Sequence, residues 1–92
     1  MLDLNSRFIL SQDIVLRSIG DKYWALNTQN GNQYRLNEVS YSLLNLTREC
    51  ITLEDMVQQA LQEYNIDRAR LLADCDTMLQ DALKKNIVKE VE

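Results

Sequence analysis

The stretch Asn30–Leu46, NGNQYRLNEVSYSLLNL, changes character halfway. It opens on Asn30–Gly31, a dipeptide that marks tight turns because both residues tolerate positive φ. Gln33–Leu36 (QYRL) follows as a strand of only four residues. After it, Val39, Leu43, Leu44 and Leu46 fall at helical spacing. Asn37 suits the N-cap of that helix, where a side-chain oxygen accepts from a free amide of the first turn. Glu38 then places negative charge at the positive end of the helix dipole. A strand this short is either a minor edge covered by another element or an edge left open for a partner, and the choice decides the function.

Working back from the turn, Lys22–Asn27 (KYWALN) is the strand that Asn30–Gly31 returns, and Asp13–Ile19 (DIVLRSI) precedes it across Gly20–Asp21. The three form an antiparallel meander. Residues 1–12 are expected as a loose N-terminal arm, with Arg7–Leu10 (RFIL) able to cover part of that sheet. Residues 13–92 are expected as one domain, since nothing in them is repetitive, low in complexity or proline-containing.

Working forward, two more helices follow. Ile51–Tyr64 (ITLEDMVQQALQEY) starts at Thr52 with Asp55 three residues on, a variant of the capping box. Leu53, Met56, Val57, Ala60, Leu61 and Tyr64 make its apolar stripe. Asn65–Asp67 breaks it, and Asp67 is the expected cap of a longer helix, RARLLADCDTMLQDALKKN. Lys84 and Lys85 suit the C-terminal end of that helix, and Asn86 suits the left-handed stop position. Ile87–Val91 is a last extended segment. The expected fold class is α+β, a winged helix-turn-helix-like arrangement of a three-stranded antiparallel sheet followed by three helices.

Composition excludes several functions. The chain has 92 residues, enough for one small domain that buries about 60–65% of the surface its unfolded chain exposes. Net charge is −4, and no basic stripe of the kind that binds nucleic acid stands out. No apolar run approaches the roughly 18 residues of a membrane span, and a cytoplasmic location is expected. The two cysteines, Cys50 and Cys75, form no CxxC pair and are expected to be reduced. With no histidine, the commonest general base and any Ser–His or Cys–His nucleophile are missing. Neither a phosphate-cradling glycine loop nor a metal set is present, so no catalytic residue, metal or cofactor is expected. Asp74 and Asp81, seven apart, share a helical face, and with Asp76 they are read as a solvated face. The aromatic residues Tyr23, Trp24, Tyr34, Tyr41 and Tyr64 are read as core or half-buried sheet positions.

The long helix carries more apolar surface than packing on one side requires. Leu72, Leu79 and Leu83 make one stripe, and Leu71, Cys75, Met78 and Ala82 make a second. The second would wall a groove beside the sheet, where methionine adapts to varied partners.

Asp13–Leu46 resembles the PqqD-like pattern of strand, turn, strand, an N-x-x-x-G connection (Asn27–Gly31), an aromatic (Tyr34), Leu36–Asn37 and an amphipathic helix. Ile51–Asp67 and Asp74–Val88 are similar to the later segments of that family, so the resemblance spans roughly residues 13–90. Asn86 stands where the family often has glycine, and Met78 and Ala82 are softer or smaller than is common there. The resemblance implies a RiPP recognition element, a non-catalytic adaptor that binds the leader of a ribosomally made precursor peptide. Its implied partners are that leader and a modifying enzyme, either a radical S-adenosylmethionine (SAM) enzyme or a lasso-type protease or cyclase. The leader would add as a strand to Gln33, Tyr34, Arg35 and Leu36, and Leu71, Cys75, Met78 and Ala82 would receive its apolar anchors. The alternative for this architecture is a small helix-turn-helix regulator or another protein-interaction domain. Asp74, Asp76 and Asp81 on the candidate recognition helix speak against DNA.

Overall fold

Residues 2–91 are described by the computed structural model. Strands β2 (Ile14–Ile19), β3 (Lys22–Asn27) and β4 (Gln33–Leu36) form the expected antiparallel meander in the order β2-β3-β4. Its register sets Arg17 against Trp24 and Trp24 against Arg35. Because side chains alternate along a strand, Ile14, Leu16, Ala25, Tyr34 and Leu36 point inward, and Val15, Arg17, Trp24, Gln33 and Arg35 point outward.

The β3–β4 connection differs from the two-residue turn that Asn30–Gly31 suggests. Five residues link the strands, and only Gly31 takes a positive φ, 77°. The side chain of Asn27 organises the loop by accepting from the amides of Gln29 (2.9 Å) and Asn30 (3.2 Å). An Asx-type turn thus displaces the tighter hairpin.

The three helices are α1 (Glu38–Leu46), α2 (Leu53–Glu63) and α3 (Arg68–Lys84). Asn37 caps α1 through a 2.7 Å bond from the Ser40 amide, and Thr52 caps α2 through a 3.0 Å bond from the Asp55 amide. Asp67 occupies the N-cap position of α3, but its side chain makes no capping bond. An ion pair between Arg68 and Glu54 ties the start of α3 to α2 instead. Hydrogen bonds from Gln58 and then Arg68 hold the Glu54 carboxyl below its ordinary pKa. Asn86 takes the left-handed conformation, φ 59°, and ends α3 as its residue type allows.

The expected arm is part of the fold. Strand β1 (Arg7–Leu10) is the middle strand of a second antiparallel sheet, between β5 (Ile51–Thr52) and β6 (Val88–Val91). It does not lie on the meander. Phe8 is fully buried, opposite Ile51 on one side and Glu90 on the other. The Leu10 amide donates to the carbonyl of buried Thr47 at 2.7 Å. The physical reason is apolar burial: on β1, Phe8 joins Ile51, Leu53 and Val88 in the buried core.

Asp76 also departs from the solvated face expected for it. It is buried and accepts from the Leu2 amide at 2.6 Å and from the Gln80 side chain at 2.9 Å. A buried carboxylate must be satisfied, and the N-terminal segment satisfies this one. No helix among the described residues is long and apolar enough to cross a membrane.

Candidate functional site

Among the described residues, β4 is the outer strand of the meander and pairs only with β3. The Asn27 amide donates to the Asn32 carbonyl at 2.8 Å, which fixes the phase of the β3–β4 ladder. Hydrogen-bonded pairs alternate in an antiparallel ladder, so Ala25–Tyr34 and Tyr23–Leu36 exchange bonds. The N–H and C=O groups of Gln33 and Arg35 therefore point away from β3. They form a free backbone edge of the kind a partner strand can join.

Beside this edge lies an open groove of about 720 Å³. One wall is Arg35, Leu36 and the first turns of α1, with Asn37, Val39 and Ser40. The opposite wall is the face of α3 that carries Arg70, Asp74, Met78, Asp81 and Lys85. Its floor includes Leu43, Leu44, Leu71, Ala82 and Ile87, all buried. The charged side chains that line it, Arg35, Arg70, Asp74, Asp81 and Lys85, are all exposed. Lys85 pairs with Asp81 at 2.9 Å and lies 5.4 Å from the Tyr34 ring centroid.

The residues singled out in the sequence are divided by the fold. Arg35, Leu36, Leu71, Met78 and Ala82 line the groove. Gln33 is exposed on the edge itself, and half-buried Tyr34 faces inward under Lys85. Cys75 is not a groove residue. It is fully buried, and burial, reinforced by the neighbouring Asp74 charge, pushes its thiol up to about 11. The buried stripe of α3 runs Leu71, Cys75, Leu79 and Ala82, while Leu72, Met78 and Leu83 are partly buried. The two expected stripes thus interleave. Leu79 belongs with Cys75 in the core, and Met78 turns out to the groove.

Several lining residues were not singled out as site residues in the sequence. Val39 belongs by spacing to the apolar stripe of α1, yet it is 36% exposed and lines the groove. Asp74 and Asp81 carried a signal in their seven-residue spacing, and both lie on the groove wall. Ile66 and Ile87 carried none, because each lies in a connection between elements.

The family model for Coenzyme PQQ synthesis protein D (PqqD) matches residues 14–88. No match was found among curated proteins. Solved structures that share the fold include two whose names mention a leader peptide. "TbiB1 in Complex with the TbiA(beta) Leader Peptide" superposes with a TM-score of 0.77 at 25% identity, over 88% of this chain and 94% of that one. "Lasso peptide synthetase B1 complexed with the leader peptide" superposes with a TM-score of 0.76 at 16% identity, over 89% of this chain and 96% of that one.

Proposed function

The chain belongs to the PqqD family, and on that premise we propose that it is a non-catalytic adaptor. It binds the leader of a ribosomally synthesised precursor peptide and presents the rest of that peptide to a modifying enzyme. The observation that carries this is the free backbone edge of Gln33 and Arg35 lying beside an apolar groove. An extended peptide would pair with that edge and place alternate side chains against α3. Met78, half-exposed and flexible, would cover one anchor, and buried Leu71 and Ala82 would form the floor beneath it.

The likeness to TbiB1 in complex with the TbiA(beta) leader peptide supports this role, with a radical SAM enzyme or a lasso-type protease or cyclase as the partner. The adaptor would work in the cytoplasm, where a ribosomal precursor is released. Backbone pairing and apolar burial would supply most of the affinity. An exposed pair between Arg35 and an acidic leader residue would add at most about 1 kcal/mol. DNA reading by α3 is disfavoured, because Asp74 and Asp81 on its exposed wall repel phosphate.

The test is calorimetric titration with the leader of the precursor encoded beside this chain. The expected dissociation constant is about micromolar or tighter. Met78→Asp puts a carboxylate on the apolar seat and should weaken binding more than about a hundredfold, with the far-ultraviolet spectrum unchanged. No heat of binding with the wild-type chain would refute the adaptor role.

A further inference from the structure

The outward face of the β2-β3-β4 sheet takes no part in the groove except through Arg35. Its register builds three cross-strand rows: Val15–Leu26–Gln33, Arg17–Trp24–Arg35 and Ile19–Lys22. An antiparallel sheet with one solvated face normally turns polar residues outward. Here Val15 and Ile19 are 38% and 61% exposed, and Trp24 and Leu26 beside them are half-buried. The Arg35 guanidinium lies 5.1 Å from the Trp24 ring centroid, so the central row joins a large aromatic to a stacked cation. Tryptophan and arginine are the side chains most enriched where interfaces concentrate their binding energy.

The charge on this face identifies the kind of partner. Arg17, Lys22 and Arg35 are exposed, and none of the eight outward positions holds a carboxylate. The chain as a whole carries −4. We propose that this face docks an acidic surface of the modifying enzyme while the groove holds the leader, an inference that rests on the adaptor role above. A second copy of this chain fits poorly, because a two-fold contact through the face would set three cations against the same three. Nucleic acid also fits poorly: three cations are few for a phosphate chain, and Asp13, Asp21 and Glu38 border the strands in sequence. Strands about 4.8 Å apart and residues about 3.3 Å along give a patch of roughly 15 by 20 Å. That is the scale of the centre of a small, transient interface. Such a contact lets the enzyme leave once its step is complete.

The experiment uses the full chain, the modifying enzyme encoded beside it and the labelled leader of the neighbouring precursor. Enzyme affinity is read by interferometry with leader saturating, and leader affinity by fluorescence anisotropy. The double variant Arg17→Glu/Lys22→Glu changes only exposed side chains and should fold normally. It should lose about tenfold or more in enzyme affinity and keep leader affinity within about twofold. Trp24→Ala should lose a similar factor in enzyme affinity. Wild-type enzyme affinity should fall as salt rises. If the leader binds but enzyme affinity is unchanged in both variants, the docking inference is overturned and the adaptor role stands. If the leader does not bind the wild-type chain, the adaptor role falls and this inference falls with it. Binding of a labelled single-stranded oligonucleotide, or self-association in sedimentation, that these variants abolish would overturn the inference in favour of those occupants.

Discussion

Replacing Phe8 with alanine tests whether the N-terminal segment is an arm or part of the core. Phe8 has no exposed surface and sits on the middle strand of the β5-β1-β6 sheet. Its ring packs in the same cluster as Ile51, Leu53 and Val88. Truncating a buried phenylalanine to alanine costs about 3–5 kcal/mol, the lost transfer free energy plus the cavity left behind. A domain of this length has a total stability of roughly 5–14 kcal/mol, so the variant should lose about a fifth of it or more. With a slope of about 1.5 kcal/mol/M, the urea midpoint should drop by about 2–3 M. Leu4→Ala, at a side chain 39% exposed just upstream, should move it by less than about 0.5 M. The assay is equilibrium urea unfolding followed by tryptophan fluorescence and circular dichroism. A Phe8→Ala midpoint within 0.5 M of wild type, on the same rough scale, would refute the placement of β1 in the core.

Other expectations follow from single residues. The buried Cys75 thiol is pushed up to about 11 from an ordinary 9.0. Between those values the unfolded chain gives up this proton and the folded chain keeps it. Its contribution is therefore full below pH 9 and is lost as pH rises towards 11. The stability gap between wild type and Cys75→Ala, measured by urea unfolding at several pH values, should shrink by up to about 2–3 kcal/mol across that interval. A gap independent of pH would contradict the burial. Exposed Cys50 and buried Cys75 should separate in a thiol-reagent assay, with one thiol reacting at once and the second only as the chain unfolds. Two fast thiols would show that α3 is not packed as described. Arg35→Pro removes an amide that points away from β3, so the ladder and the fold should survive. Leader affinity should fall about tenfold for the lost hydrogen bond, and unchanged affinity would argue that the leader does not pair at that amide.

The meander and the three helices were legible because each depends on neighbours in the sequence. Lys22–Asn27 is a short apolar run with two adjacent aromatics between turn signals, and Asn37 and Thr52 cap helices whose apolar residues repeat at fixed spacing. The second sheet was not legible. Its strands have four, two and four residues and come from three distant parts of the chain, too short for alternation to signal them. The burial of Asp76 was hidden for the same reason, since its backbone donor is Leu2, 74 positions away. On α3 the spacing located an apolar surface and left its division open. Met78 and Leu79 are adjacent, and only the elements packed around the helix turn one to the groove and the other to the core. The edge at Gln33–Leu36 was visible as a strand. That its outward groups belong to Gln33 and Arg35 emerged from the ladder phase set at Asn27.

The central claim is that a leader peptide joins β4 and lies against α3. Titrating nitrogen-labelled protein with the leader of the neighbouring precursor, and following each amide by nuclear magnetic resonance, tests it most directly. The largest shifts should fall on Gln33, Arg35, Leu36, Val39, Met78 and Ala82, with slowed hydrogen exchange at the Gln33 and Arg35 amides. Shifts confined to the α1–α2 seam around Asn45, Gln59 and Tyr64, or no shifts at all, would contradict it.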